Sequence, residues 1–106
     1  LIFGAGKPAL TEDQKIEKII VFVEQLKDAS FARNGSEYPP KKAAEHLRMK
    51  REKAGSAIKT ANGFIEKVAA KSSMSGEAYL IKFKDGKMIP VEALLKAQLK
   101  TIESAS

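Results

Sequence analysis

The chain has no cysteine and no tryptophan among its 106 residues, one histidine, and only 7% aromatic residues. Without cysteine there is no disulfide framework, no thiolate metal ligand and no thiol nucleophile. One imidazole with no cysteine beside it makes a weak metal-ligand set. No segment approaches the roughly 20 consecutive apolar residues that a membrane-spanning helix needs. There is no glycine loop of the kind that cradles phosphate, no strand-turn-helix "GxSxG" elbow, and no pair of carboxylates at a spacing that suits acid–base chemistry. These absences argue against an enzyme with a bound cofactor or metal, and they leave binding as the broader class.

What is present is ordinary material for one small domain. An apolar fraction of 43% and a charged fraction of 30% suit a globular fold, and a chain of this length can bury roughly 65% of its unfolded surface. The net charge is +6. It is uneven: residues 1–30 carry −1, residues 31–60 carry +5 and residues 61–106 carry +2. The excess therefore lies in the middle of the chain and not on a tail.

The opening "LIFGAG" sets three large apolar residues before three small ones, the pattern found where a secretory signal ends. Residues 1–10 read as a signal remnant or disordered tail, and residues 11–104 as one globular domain. Export to the periplasm is the expectation, with a cytoplasmic protein as the alternative if that opening is not a signal remnant.

"TEDQKIEKIIVFVEQLKD" begins with a capping box, Thr11 with Gln14. Ile16, Ile19, Ile20, Val23 and Leu26 then recur at helical spacing. Next, "FARNGSEY" carries Asn34-Gly35, a strong signal for a type I′ hairpin. Phe31 and Tyr38 are the residues expected to lean on the core. Pro40 suits the first position of a second helix, whose apolar arc (Ala43, Ala44, Leu47, Ala54, Ile58) is thin and made mostly of small residues. Arg51 intrudes into that arc, so its head must reach solvent or an acid. A break is predicted near Thr60–Gly63, with Thr60 as a new N-cap. "YLIKF" alternates as a strand, Asp85-Gly86 supplies a second hairpin, and Val91, Leu94, Leu95, Leu99 and Ile102 form a last helical stripe. The fold class is mainly α within α+β: a core of three or four helices with two short hairpins, the stripes burying against one another.

The run Phe31-x-Arg33-Asn34-Gly35-x-x-Tyr38, followed by Ala43-Ala44-x-His46-Leu47, Thr60-Ala61-x-x-Phe64-Ile65 and Ser72-Ser73-Met74-Ser75-Gly76-x-x-Tyr79-Leu80-Ile81, is similar to a family of small bacterial domains of unknown function. The resemblance covers about Ile16 to Ile102. It implies an exported, periplasmic protein and implies no chemistry. Arg51 departs from it, standing where a core-facing aromatic residue is implied.

Four features compete for a functional role. His46 is the one candidate general base, with Ser72, Ser73 and Ser75 as hydroxyl partners, against a structural histidine bonded to the hairpin. Arg33-Asn34-Gly35 can hold a carboxylate or phosphate, against a solvated turn. Ser72–Gly76 can form an anion nest helped by Lys71, against a helix C-cap. The basic run Lys41–Lys59 can bind nucleic acid or an anionic surface. However, Glu45 and Glu52 interrupt it at helical spacing and no aromatic residues interleave it, as on a solvated, ion-paired face. The leading expectation is a non-catalytic module without cofactor or metal. Phe31, Arg33, Asn34, Tyr38, His46, Ser72, Ser73 and Ser75 form its ligand-binding corner, and a protein or peptide of the cell envelope is its partner. A basic nucleic-acid or anionic-surface binder is the first alternative, although nucleic acid is the less favoured partner. A small His/Ser hydrolase is the second.

Overall fold

A computed structural model describes residues 9–33, 35–72 and 75–105 of the protein. The "LIFGAG" opening, Asn34, Ser73 and Met74 lie outside these described residues.

Helix α1 (Glu12–Glu24) begins as its sequence requires. The Thr11 hydroxyl accepts from the Gln14 amide at 3.1 Å, and the Thr11 amide donates to Gln14 Oε1 at 2.9 Å, closing the capping box. Ile16, Ile19, Ile20 and Val23 are almost wholly buried, so α1 is the spine of the core. A turn through Asp28 leads into β1 (Ala29–Arg33), which pairs antiparallel with β2 (Ser36–Tyr38). Arg33 stands opposite Ser36, so two residues make the connection, and Gly35 takes φ 79° as a primed turn demands. Helix α2 (Pro40–Ala54) follows, buried only along Ala44 and Leu47. Its small residues set it against α1, and Arg51 resolves its conflict there: the guanidinium reaches Asp13 at 3.1 Å and Glu17 at 3.6 Å on α1.

The break arrives earlier than the propensities of Asn62 and Gly63 suggest. Helix α2 stops at Gly55, whose φ of 53° and ψ of −130° suit glycine alone, and a 3-10 turn (Gly55–Ala57) follows. Thr60 then caps α3 (Ala61–Phe64), its hydroxyl accepting from the Gly63 amide at 2.9 Å. Helix α3 runs on as a π-type segment, Ile65–Ala69, in which the Ala70 amide donates to the Ile65 carbonyl at 2.8 Å. The wider turn buries Val68, Ala69 and Ala70 in succession. Strands β3 (Leu80–Phe83) and β4 (Met88–Pro90) form the second hairpin, and α4 (Val91–Ala105) buries Val91, Leu95, Leu99 and Ile102.

The architecture is α+β with four helices, as the periodicities indicate, but the two hairpins are not separate insertions. They join through β1 and β3 into one antiparallel sheet in the order β2-β1-β3-β4. The reason is local. Two-stranded hairpins of three to five residues are marginal alone, whereas pairing Phe31 with Ile81 places both on the face that the helices cover. Phe31 leans on the core as expected. Tyr38, directly across from it, keeps 38% of its surface exposed because β2 is the edge strand.

Candidate functional site

The features singled out around Arg33 and around Ser72, 39 residues apart in sequence, meet at one corner: Arg33 Nη1 donates to Ser72 Oγ at 2.8 Å. Arg33 ends β1 on the same sheet face as Phe31 and so points toward the helices. Ser72 follows the π-type segment and is the one buried polar residue among the described residues, at 4% exposure. The Ser75 amide also donates to its hydroxyl, at 3.3 Å.

Two further residues complete the corner. Tyr79 leads into β3 and is fixed by backbone on both sides: its amide donates to the Ala70 carbonyl at 2.9 Å, and its carbonyl accepts from the Val91 amide at 3.0 Å. The Arg33 guanidinium lies 5.6 Å from the centre of the Tyr79 ring, and the Lys50 ammonium lies 5.4 Å from it. Lys50, from the middle of α2, donates to the Val68 carbonyl at 2.8 Å. In an uninterrupted α-helix that carbonyl would accept from the amide of residue 72, but the Ser72 amide turns away to the Glu77 carbonyl at 2.9 Å. The π-type turn and the fold-back after it thus free an acceptor that Lys50 occupies.

Seven Lys or Arg residues are partly buried among the described residues: Lys15, Arg33, Arg48, Lys50, Arg51, Lys82 and Lys96. Five of them pair with a carboxylate within 4 Å: Lys15 with Glu12 and Glu103, Arg48 with Glu17, Arg51 with Asp13, Lys82 with Glu37, and Lys96 with Glu66. Arg33 and Lys50 have no such pair among the described residues, and they are the two that share the Tyr79 ring. Arg33 Nε, moreover, is buried without a hydrogen-bond partner. The electrostatics agree: burial, then the charge of Arg33, holds the Lys50 ammonium below the ordinary lysine range. His46, one turn before Lys50 on α2, is exposed. Burial of part of its ring, then the charges of Lys50, Arg33 and Lys53, push its pKa below 6.5.

The expected site residues therefore divide. Arg33, Ser72 and Ser75 are hydrogen-bonded together, and His46 is close enough to feel Arg33 and Lys50. Asn34 and Ser73 lie outside the described residues. Phe31 is buried in the core at 6% exposure. No hydrogen bond or cation–ring contact joins Tyr38 to the corner among the described residues. Nor does His46 bond the hairpin backbone, as a structural histidine would, or a carboxylate, as an oriented general base would; no such bond is found among the described residues. Among the described residues of the serine segment the amides are engaged internally and not turned outward as a nest. The Gly76 amide donates to the Ser72 carbonyl and the Glu77 amide to Ser75 Oγ. The terminal carbonyls of the preceding helix are met by Lys50 and the Tyr79 amide.

Sequence reasoning missed Lys50 and Tyr79. Lys50 is four residues after His46 and shares its helix face, a signal that was available. Tyr79 read as one more strand residue, and nothing in its neighbours marks it as a ring that two cations share. A shallow hollow of about 400 Å³ lies on the other face of the sheet over Ala32, Leu80 and Met88, meeting the corner only through Arg33. Its rim carries Glu37 and Lys82, which pair with each other at 3.3 Å. Among the described residues no group of three or more His, Asp or Glu is placed to hold a metal ion, and no helix is long and apolar enough to cross a membrane.

A family model for a family of unknown function, DUF5329, matches residues 10–103, nearly the whole domain. The chain belongs to that family. It is also 38% identical over 68 residues to the uncharacterized protein YfeK of Salmonella typhimurium strain LT2. That match spans 64% of this chain and 57% of the length of the relative. No solved structure matches the chain.

Proposed function

We propose that this DUF5329 protein is a non-catalytic binding module of the bacterial envelope, engaging a protein or peptide partner at the corner formed by Arg33, His46, Lys50, Ser72 and Tyr79. The observation that carries the reading is the contrast among its partly buried bases: five are neutralised by carboxylates, and the two that are not converge on one ring. Removing cations from water without an opposite charge is costly. A fold that spends stability in this way at one place, and nowhere else among the described residues, holds that place ready for a ligand. The envelope location is supported by the apolar-then-small pattern of "LIFGAG". Nucleic acid is the weaker partner because Arg48 and Arg51, within the basic run, are tied to Glu17 and Asp13 of α1.

The test is affinity capture from bacterial envelope extract with the wild-type protein and with Arg33→Ala/Lys50→Ala. One or more partners should be retained by the wild type and lost by the variant. Equal capture by both would remove the corner from the proposal. Fusion of the full gene to a reporter active only in the periplasm tests the location, and a silent reporter overturns it.

A further inference from the structure

We infer that the group received at this corner is a carboxylate of the partner, clasped between the Arg33 guanidinium and the Lys50 ammonium over the Tyr79 ring. This rests on the binding-module reading and adds the chemistry of the ligand.

The donors present decide between oxyanions. Arg33 spends Nη1 on Ser72, and Lys50 spends one of its three donors on Val68, with a second, longer contact of 3.5 Å to the Lys71 carbonyl. What remains is the rest of one guanidinium and of one ammonium, enough for the two oxygens of a carboxylate. Phosphate sites usually add backbone amides from a nest or a helix N-terminus. Here the loop amides among the described residues, those of Ser72, Ser75, Gly76 and Glu77, are all committed within the loop. The nearby helix end is the C-terminal end of the α3 segment, whose negative dipole opposes any anion and a doubly charged one more than a singly charged one. A single negative charge offsets the mutual repulsion of Arg33 and Lys50, and it leaves the carbonyls bonded to Lys50 undisturbed.

Among the described residues, every partly buried base elsewhere shows the same preference within the protein itself, since each is already met by Asp or Glu. The corner is the position where that carboxylate must come from another molecule. Two sources share the chemistry, an acidic side chain and a free chain terminus, and they are separable.

The experiment uses the intact protein and follows its backbone amides and the His46 ring by NMR. Three peptides are titrated: one with two internal glutamates and an amidated end, one with glutamines in their place and an amidated end, and the glutamine peptide with a free terminal carboxylate. Inorganic phosphate is titrated separately. Binding by the first or the third peptide, but not the second, with the His46 pKa rising toward its ordinary value, supports the inference and names the source. Lys50→Gln should weaken that binding roughly tenfold or more, and Lys41→Gln, at the exposed start of α2, should leave it unchanged. If Lys50→Gln does not fold, Arg33→Lys gives the same reading, because a point charge replaces the planar fork. Equal shifts with the neutral amidated peptide, tighter binding of phosphate than of either carboxylate peptide, or wild-type affinity in the corner variants would each overturn the carboxylate. Capture of an envelope partner that still depends on Arg33 and Lys50 would then leave the binding module standing with a different ligand group.

Discussion

Glu12 joins the start of one helix to the start of another, which makes it a sharp test of how this fold is held. It is the first residue of α1, yet its Oε1 accepts from the Ala61 amide at 2.8 Å, the first amide of α3, while Oε2 takes Lys15 at 3.0 Å. Helix α3 thus has two caps, Thr60 from its own sequence and Glu12 from 49 residues away. Losing a helix N-cap costs about 0.5–2 kcal/mol. The Glu12 side chain is 39% exposed, so solvent screening reduces its charge contribution, and about 1 kcal/mol is the expected cost of Glu12→Ala. For a domain of this size that is a fall in Tm of about 4–8 °C. The pH dependence has a defined sign. The Ala61 amide first, and the Lys15 ammonium next, hold the Glu12 carboxyl below its ordinary 4.5. Its stabilisation is therefore complete above pH 4.5 and lost as the pH falls through the lower folded value. Thermal unfolding of wild type and Glu12→Ala, followed by circular dichroism at pH 7 and again in acid, measures both. A gap of less than about 1 °C at pH 7, or a gap that widens in acid, refutes the reasoning.

Phe64 is fully buried, and Phe64→Ala should cost about 3–5 kcal/mol in urea unfolding. Gly55→Ala places a side chain at φ 53°, ψ −130° with open space around it, so backbone strain alone should cost about 1–3 kcal/mol, read from the same transition. His46 should titrate below 6.5 by NMR, and Lys50→Gln should raise that value by removing the charge that weighs most on it. Because the folded pKa is the depressed one, the unliganded protein should lose stability as pH falls through 6.5, and less so in Lys50→Gln.

The helices were legible because their signals are local. Thr11 with Gln14 fixes a start, and Ile16, Ile19, Ile20 and Val23 fix a face, without reference to any other part of the chain. Both hairpins were legible for the same reason, each turn being written in two residues. Their union was not, because the pairing of Phe31 with Ile81 depends on which strand edge the helices leave free. The π-type segment was equally hidden: Ile65 to Ala69 has ordinary helical composition, and its extra residue per turn answers to the packing of Val68, Ala69 and Ala70. The candidate site was half legible. Arg33, His46 and Ser72 stood out as residue types, but their meeting is a product of the tertiary fold. Lys50, one of several lysines on α2, becomes distinctive only when the carboxylates of its neighbours are counted and its own is found missing.

The sheet order has a consequence for how a ligand would be detected. Arg33 belongs to the first hairpin, Lys50 to the helix after it, Ser72 and Tyr79 to the stretch leading into the second hairpin, and β1 against β3 is the seam that closes them together. No fragment shorter than residues 33–79 owns the whole corner, so a bound guest would act as a rivet across that seam. Saturation at a hundredfold above Kd would then add about 2.7 kcal/mol to global unfolding, and a shift in melting temperature would screen guests without any knowledge of what the protein does in the cell.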